Sequence, residues 1–165
     1  MSDKLKKCFK EGEKGKRHKG LRKIEIDDKR FNNHLFKAEH NLKAVIYLKK
    51  GGFSDWSASA CFYCLYHCLL ALCIKYGYES RNQSCTFALI EDLIDRGKIK
   101  NISKDDLKEI FNKSIDENLE HSDKILDIRE RMQYSTETHL EDKEFQRLFE
   151  RVKVLFSKLK KEVER

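Results

Sequence analysis

The sequence predicts an all-α protein, an up-and-down bundle of four to six helices. Three observations predict it. Residues 55–76, DWSASACFYCLYHCLLALCIKY, hold no charged side chain between Asp55 and Lys75 except any protonated fraction of His67, in a chain that is 38% charged. The chain has no proline and seven glycines, so little interrupts a helix. Amphipathic helical spacing recurs on both sides of the apolar stretch, and no segment alternates like a strand for more than a few residues.

The apolar stretch is predicted to be the central helix. Trp56, Ala60, Tyr63, His67, Leu70 and Ile74 share one stripe, and Leu65, Leu69, Leu72 and the cysteines cover the others. A helix apolar all round is expected to be buried on all sides, with the other helices laid against it. Ser54 or Asp55 suits its start, and Gly77 suits a left-handed residue past its end. Its length also fits a membrane span, but Ser57, Ser59, His67 and four cysteines interrupt it, and the other helices need a partner. A soluble core helix is expected, with no membrane.

Residues 1–30 carry twelve Lys and Arg against six Asp and Glu, which is nearly all of the chain's net charge of +7. They hold too little apolar surface to fold alone. The expectation is a basic, poorly ordered tail, from which Leu21, Ile24 and Ile26 could dock; a basic arm for a polyanion is the alternative. The body then runs over 31–165.

Over 31–50, Phe31, Leu35, Ala38, Leu42 and Val45 mark one helical face, and Gly51-Gly52 stops it. So short a turn predicts an antiparallel hairpin with the central helix. A polar loop over 78–84 leads to a helix over 85–96, with Phe87, Ile90, Leu93 and Ile94 as its stripe and Gly97 as its stop. Ser103 to Asp106 reads as a capping box opening a segment through Leu107, Ile110, Phe111 and Ile115. Residues 116–123 read as a polar loop or exposed turn, and 125–134 as helix again. The last helix, 140–163, shows an apolar face through Phe145, Leu148, Phe149, Val152, Leu155, Phe156, Leu159 and Val163. The N-terminal residues lack the apolar core of a secretory signal, so six reduced thiols in a cytoplasm are expected.

The order of these pieces resembles a HEPN domain over about residues 31–164. Phe62-Tyr63-Cys64 is similar to the Tyr-Tyr-Ala of many members, with His67 and Ala71-Leu72 after it. Arg96-Gly97-Lys98-Ile99 closes a short helix as in the family. IRERMQYS precedes a long terminal helix, and Arg129 with Gln133-Tyr134 resembles an Arg-x-x-x-Asp-Tyr signature. The resemblance implies a helical bundle of the nucleotidyltransferase-substrate-binding kind. It implies a homodimer, and either an RNase toxin acting without metal, often beside a nucleotidyltransferase partner, or a silent module that binds a nucleotide, RNA or a protein.

The family's RNA cleavage uses an Arg-x(4–6)-His motif. A base takes the 2′-hydroxyl proton and a cation steadies the phosphorane. Here Arg129 is followed at the matching distance by Tyr134, whose unperturbed pKa of ~10 is too high for a base at neutral pH. His139 and His121 are displaced candidates for that base. A catalytically silent or weak binding module is therefore expected first, an RNase toxin second and a structural dimer third. Arg129, Arg131 and Tyr134 are the candidate anion-binding residues; the alternative is that Arg129 pairs with a carboxylate while Tyr134 packs. His67 reads as a core histidine bonded to a tyrosine or a carbonyl. Cys61, Cys64, Cys68 and Cys73 read as small apolar thiols at a helix crossing, with no metal. No cofactor motif is present.

Overall fold

The structure, a computed structural model, describes residues 1–111 and 125–165. Seven helices are seen among them. They are α1 (Asp3–Gly12), α2 (Asp28–Lys50), α3 (Ser54–Lys75), α4 (Gln83–Asp95), α5 (Lys104–Ile110), α6 (Ile125–Tyr134) and α7 (Asp142–Glu164). The all-α bundle is α2–α7, six helices over the segment where a bundle is expected. Ile115, residues 116–123 and His121 lie outside the described residues.

α3 is the core of that bundle. α2 packs along it as an antiparallel hairpin partner, α7 and α6 cover further faces, and α4 closes its C-terminal half. Fourteen of its residues are buried, among them Phe62, Leu65, Leu69 and Leu72. The helix is long and apolar enough to cross a membrane, but 67% of its most apolar window is buried against its neighbours, as in a core helix. Its start differs from expectation. Phe53 is the N-cap residue and no side chain caps the helix. Ser54 instead accepts a hydrogen bond at Oγ from the Leu140 amide, 2.8 Å away, tying α3 to the entry of α7. Past its end Gly77 has φ of 81°, as a left-handed terminator requires.

Two other sequence signals appear as read. Ser103 and Asp106 form a reciprocal capping box at α5. Asp106, once the box is made, also binds Lys158 at 2.8 Å and Arg151 at 3.2 Å on α7. Glu162 is wholly buried, yet its carboxylate accepts from the amides of Lys100 and Asn101 and pairs with Arg165. Those contacts replace the water it loses, and they hold its pKa below the usual carboxylate range against the opposing effect of burial.

The N-terminal residues are not a loose tail. α1 is capped by Ser2, buries Leu5 and Cys8, and docks on α4. Leu21–Lys23 (β1) pairs antiparallel with Tyr78–Ser80 (β2), with Leu21 opposite Ser80. Three-residue strands are too short to leave an alternating pattern, so composition alone reads this segment as solvated. Leu21 docks, whereas Ile26 stays exposed. Gly12 and Gly20 let α1 and β1 touch: a Cβ on Gly12 would stand 1.7 Å from the Leu21 carbonyl oxygen.

The thiols also differ from expectation. Cys8 and Cys85 are joined by a disulfide 77 residues apart in sequence, fixing α1 to α4. Two cysteines in polar or short-helix contexts give no pairing signal without the fold. Replacing Cys8 with serine is expected to lower unfolding free energy by about 2–4 kcal/mol, since a long loop is no longer closed in the unfolded chain. Denaturant titration with and without reductant checks it; the variant should be insensitive to reductant. Gly12→Ala is expected to free α1 from β1, read as loss of amide-exchange protection in residues 3–12 with α3 still protected.

Candidate functional site

One side of α3 is left open. Trp56, Ala60, Tyr63, His67 and Leu70 recur at i, i+4, i+7, i+11 and i+14, and all retain accessibility, with Trp56 61% and Tyr63 37% exposed. Ile74, the next residue in the stripe, is buried at 2%. The expectation of burial on all sides is therefore corrected along this stripe. The reason is geometric. α2 lies on one flank and α6 on another, and the space between them over α3 receives no further helix among the described residues.

The α2 border of the seam is a histidine pair. His34 Nδ1 lies 2.9 Å from His67 Nδ1, and the rings are 5.2 Å apart. Such a contact needs one N–H and one lone pair, so the ring that accepts is neutral. Burial first, then the charges of its surroundings, push the His67 pKa down to about 4. Burial and the charge of Arg30 lower that of His34. His67 is thus half-buried and bonded to a histidine, not to a tyrosine or a carbonyl. His34 lies 17 residues before Gly51 and His67 15 residues after Gly52, so an antiparallel hairpin brings the two near each other.

The α6 border is Arg129, 8% exposed. Its guanidinium carbon stands 4.9 Å from the Phe62 ring centre and 5.6 Å from that of Tyr63, and Nη1 donates to the Tyr63 hydroxyl at 3.2 Å. Glu130 is 3.9 Å away. Arg129 thus holds the aromatic pair of α3 in place by cation–π contact and a hydrogen bond. Nε of Arg129 is buried without a hydrogen-bond partner among the described residues.

The other candidates lie elsewhere. Arg131 pairs with Glu144 on α7, because two residues along a helix point to different neighbours. Tyr134 is 78% exposed at the end of α6. His139 is exposed in the turn before α7. Arg129 and Arg131 therefore serve different helices, and among the described residues no histidine bonds to Arg129. Cys61, Cys64, Cys68 and Cys73 are fully buried, and burial raises all four thiol pKa values, those of Cys64 and Cys73 to about 12. No group of three or more metal-ligating side chains converges among the described residues.

A family model for the HEPN domain matches residues 31–163, most of the chain. The chain belongs to the HEPN family. No curated protein matches it. The match starts inside α2, so α1 and β1 lie outside the matched residues and are tied to them by the Cys8–Cys85 bond.

Arg129→Ala is expected to destabilise the fold by about 1–3 kcal/mol, from loss of a largely desolvated cation–π contact and a hydrogen bond that leaves Tyr63 without its donor. Thermal or denaturant unfolding measures it. A second expectation concerns pH. A histidine whose folded pKa lies below 6.5 gains protons more readily unfolded, so stability falls as pH drops from about 6.5 towards 4. Between pH 7.5 and 5.5 the His67 contribution is about 1 kcal/mol, and His67→Gln should flatten that part of the profile.

Proposed function

We propose that this HEPN protein is a binding module that acts as a homodimer through the open stripe of α3, without the family's RNA-cleaving chemistry. The observation that supports the reading is the stripe itself. A helix whose other sides are buried leaves Trp56, Tyr63 and Leu70 accessible, next to half-exposed Phe53 at the hairpin tip. Aromatic residues at a contiguous apolar face are the usual centre of an interface.

A second copy is the partner the chemistry favours. An isologous interface sets a patch against itself, so like charges within it repel. From Trp56 to Leu70 the stripe carries no formal charge, and His67 is kept neutral by its depressed pKa. A net charge of +7 on each chain is carried by other surfaces. Cleavage of RNA has less support. Arg129 is occupied by Phe62 and Tyr63, and the residue at the motif's histidine position is an exposed tyrosine.

Sedimentation velocity tests the reading. The wild type should run as a dimer at micromolar concentration. Trp56→Glu and Ala60→Glu, which bring a charge into the seam, should each weaken association at least ~100-fold while circular dichroism stays helical, in line with the cost of burying an unpaired carboxylate. A monomeric wild type, or dimers indifferent to both changes, would overturn it. In the same samples, metal-free incubation with RNA should leave the RNA intact. Cleavage lost in Arg129→Ala would instead establish the nuclease.

A further inference from the structure

At the His67 end of the seam a pocket of about 220 Å³ opens between the start of α2 and the end of β2. Arg30, His34, Glu79 and Arg81 line it, over an apolar floor of Leu70 and Ile74. Glu79 is the one acidic group of this lining, and it is already saturated. His18 Nε2 lies 2.9 Å from Oε1, Arg30 Nη2 donates to Oε2 at 2.6 Å, and Arg81 Nε is 3.1 Å from Oε1. The Gly20 amide donates to His18 Nδ1 at 3.3 Å, so Nδ1 is the lone-pair nitrogen and Nε2 carries the proton given to Glu79. His18 is then neutral. Burial alone would raise the Glu79 pKa, but the His18 and Arg30 hydrogen bonds, with the charges of Arg81 and Arg30, bring it to about 2.

The charge balance of the pocket is therefore two guanidiniums against one carboxylate. Beyond Glu79, Arg81 gives one donor to the Lys16 carbonyl, 2.8 Å away. Most of the five N–H donors of each guanidinium remain, and the side chains are 43% and 46% exposed. A planar fork with surplus donors is the geometry that grips phosphate oxygens two at a time. The volume equals about seven waters of liquid, enough for a phosphoryl group and the first atoms of its ester. Leu70 and Ile74 offer those carbon atoms an apolar floor, which a bare inorganic ion would not use.

We infer that Arg30 and Arg81 form a binding site for the phosphate group of an organic phosphate ester, with Glu79 fixing both guanidiniums and His34 at the rim. The site stands on one chain and holds whether or not the seam dimerises. A free nucleotide and the backbone of an RNA strand share this chemistry, and the assay separates them.

The experiment follows the His34 and His67 ring signals by NMR in the intact, oxidised protein at fixed ionic strength. The titrants are inorganic phosphate, AMP, a six-residue oligouridylate and, as control, chloride. Saturable shifts of the His34 ring with AMP or the oligonucleotide, at least ~10-fold tighter than with inorganic phosphate, are expected; whichever binds tighter identifies the carrier. Arg30→Gln and Arg81→Gln should each weaken that binding at least ~10-fold. Arg81→Lys, which keeps the charge and Glu79 pairing but loses the fork, should fall between and serves if Arg30→Gln unfolds. Equal shifts with chloride, no saturation with either ester, esters no tighter than phosphate, or unchanged affinity in the arginine variants would each overturn the inference. Sedimentation of the same variants should remain that of the wild type, so failure of this site and failure of the dimer reading are read separately.

Discussion

The constraint on which the fold depends is the removal of α3 from water. Its interior holds no ionic group that could stay solvated, so every side of it needs a cover or a partner. α2 supplies one by folding back across Gly51-Gly52, α7 supplies the largest distant one, and α6 and α4 cover two more. The polar contacts of the bundle serve this arrangement. Ser57 donates through Oγ to the Val45 carbonyl at 3.0 Å, locking the hairpin, and Lys75 donates to the Val163 carbonyl at 2.6 Å, locking α3 to the end of α7. Lys160 reaches Glu39 at 2.7 Å and so ties α7 to α2 as well.

Among the described residues α2, α7, α6 and α4 leave one side of α3 uncovered. The seam and the pocket at its end are two consequences of one packing fact. Where α2 starts, the Arg30 backbone amide is held by Asp27 and its side chain is free to reach Glu79. The short β1–β2 ladder brings Glu79 and Arg81 to the same corner. Without the N-terminal segment, Glu79 would lose His18, which is buried under it. The matched residues and the N-terminal segment thus meet at the charged corner.

Much of the fold was legible in the sequence because helical period, glycine stops and the capping box are local signals. The hairpin, the Ser103–Asp106 box, the Gly77 terminator and the face of α7 needed no knowledge of neighbours. The candidate site was legible only in part. The stripe through Trp56, Tyr63 and His67 was visible as a periodicity, but whether it faces a helix or water depends on which neighbours arrive. Arg129 was visible as a motif residue, while its seat against Phe62 is a tertiary fact. The order of residues 1–30 was hidden because Leu5, Cys8 and Leu21 are few and scattered, and a disulfide and two close glycines do the work that a long apolar face does elsewhere.

The order of the covers along the chain has a consequence for synthesis. α3 leaves the ribosome with α2 already beside it, but α7 is complete only 89 residues after α3 ends. At elongation rates of about 5–20 residues per second that is a delay of roughly 4–18 seconds. During it a 22-residue helix apolar enough to span a bilayer is covered by α2, then by α4 and α6, and still lacks α7. The cover that α7 gives is thus the last to be made, and until then that side of α3 stays open to any other apolar surface.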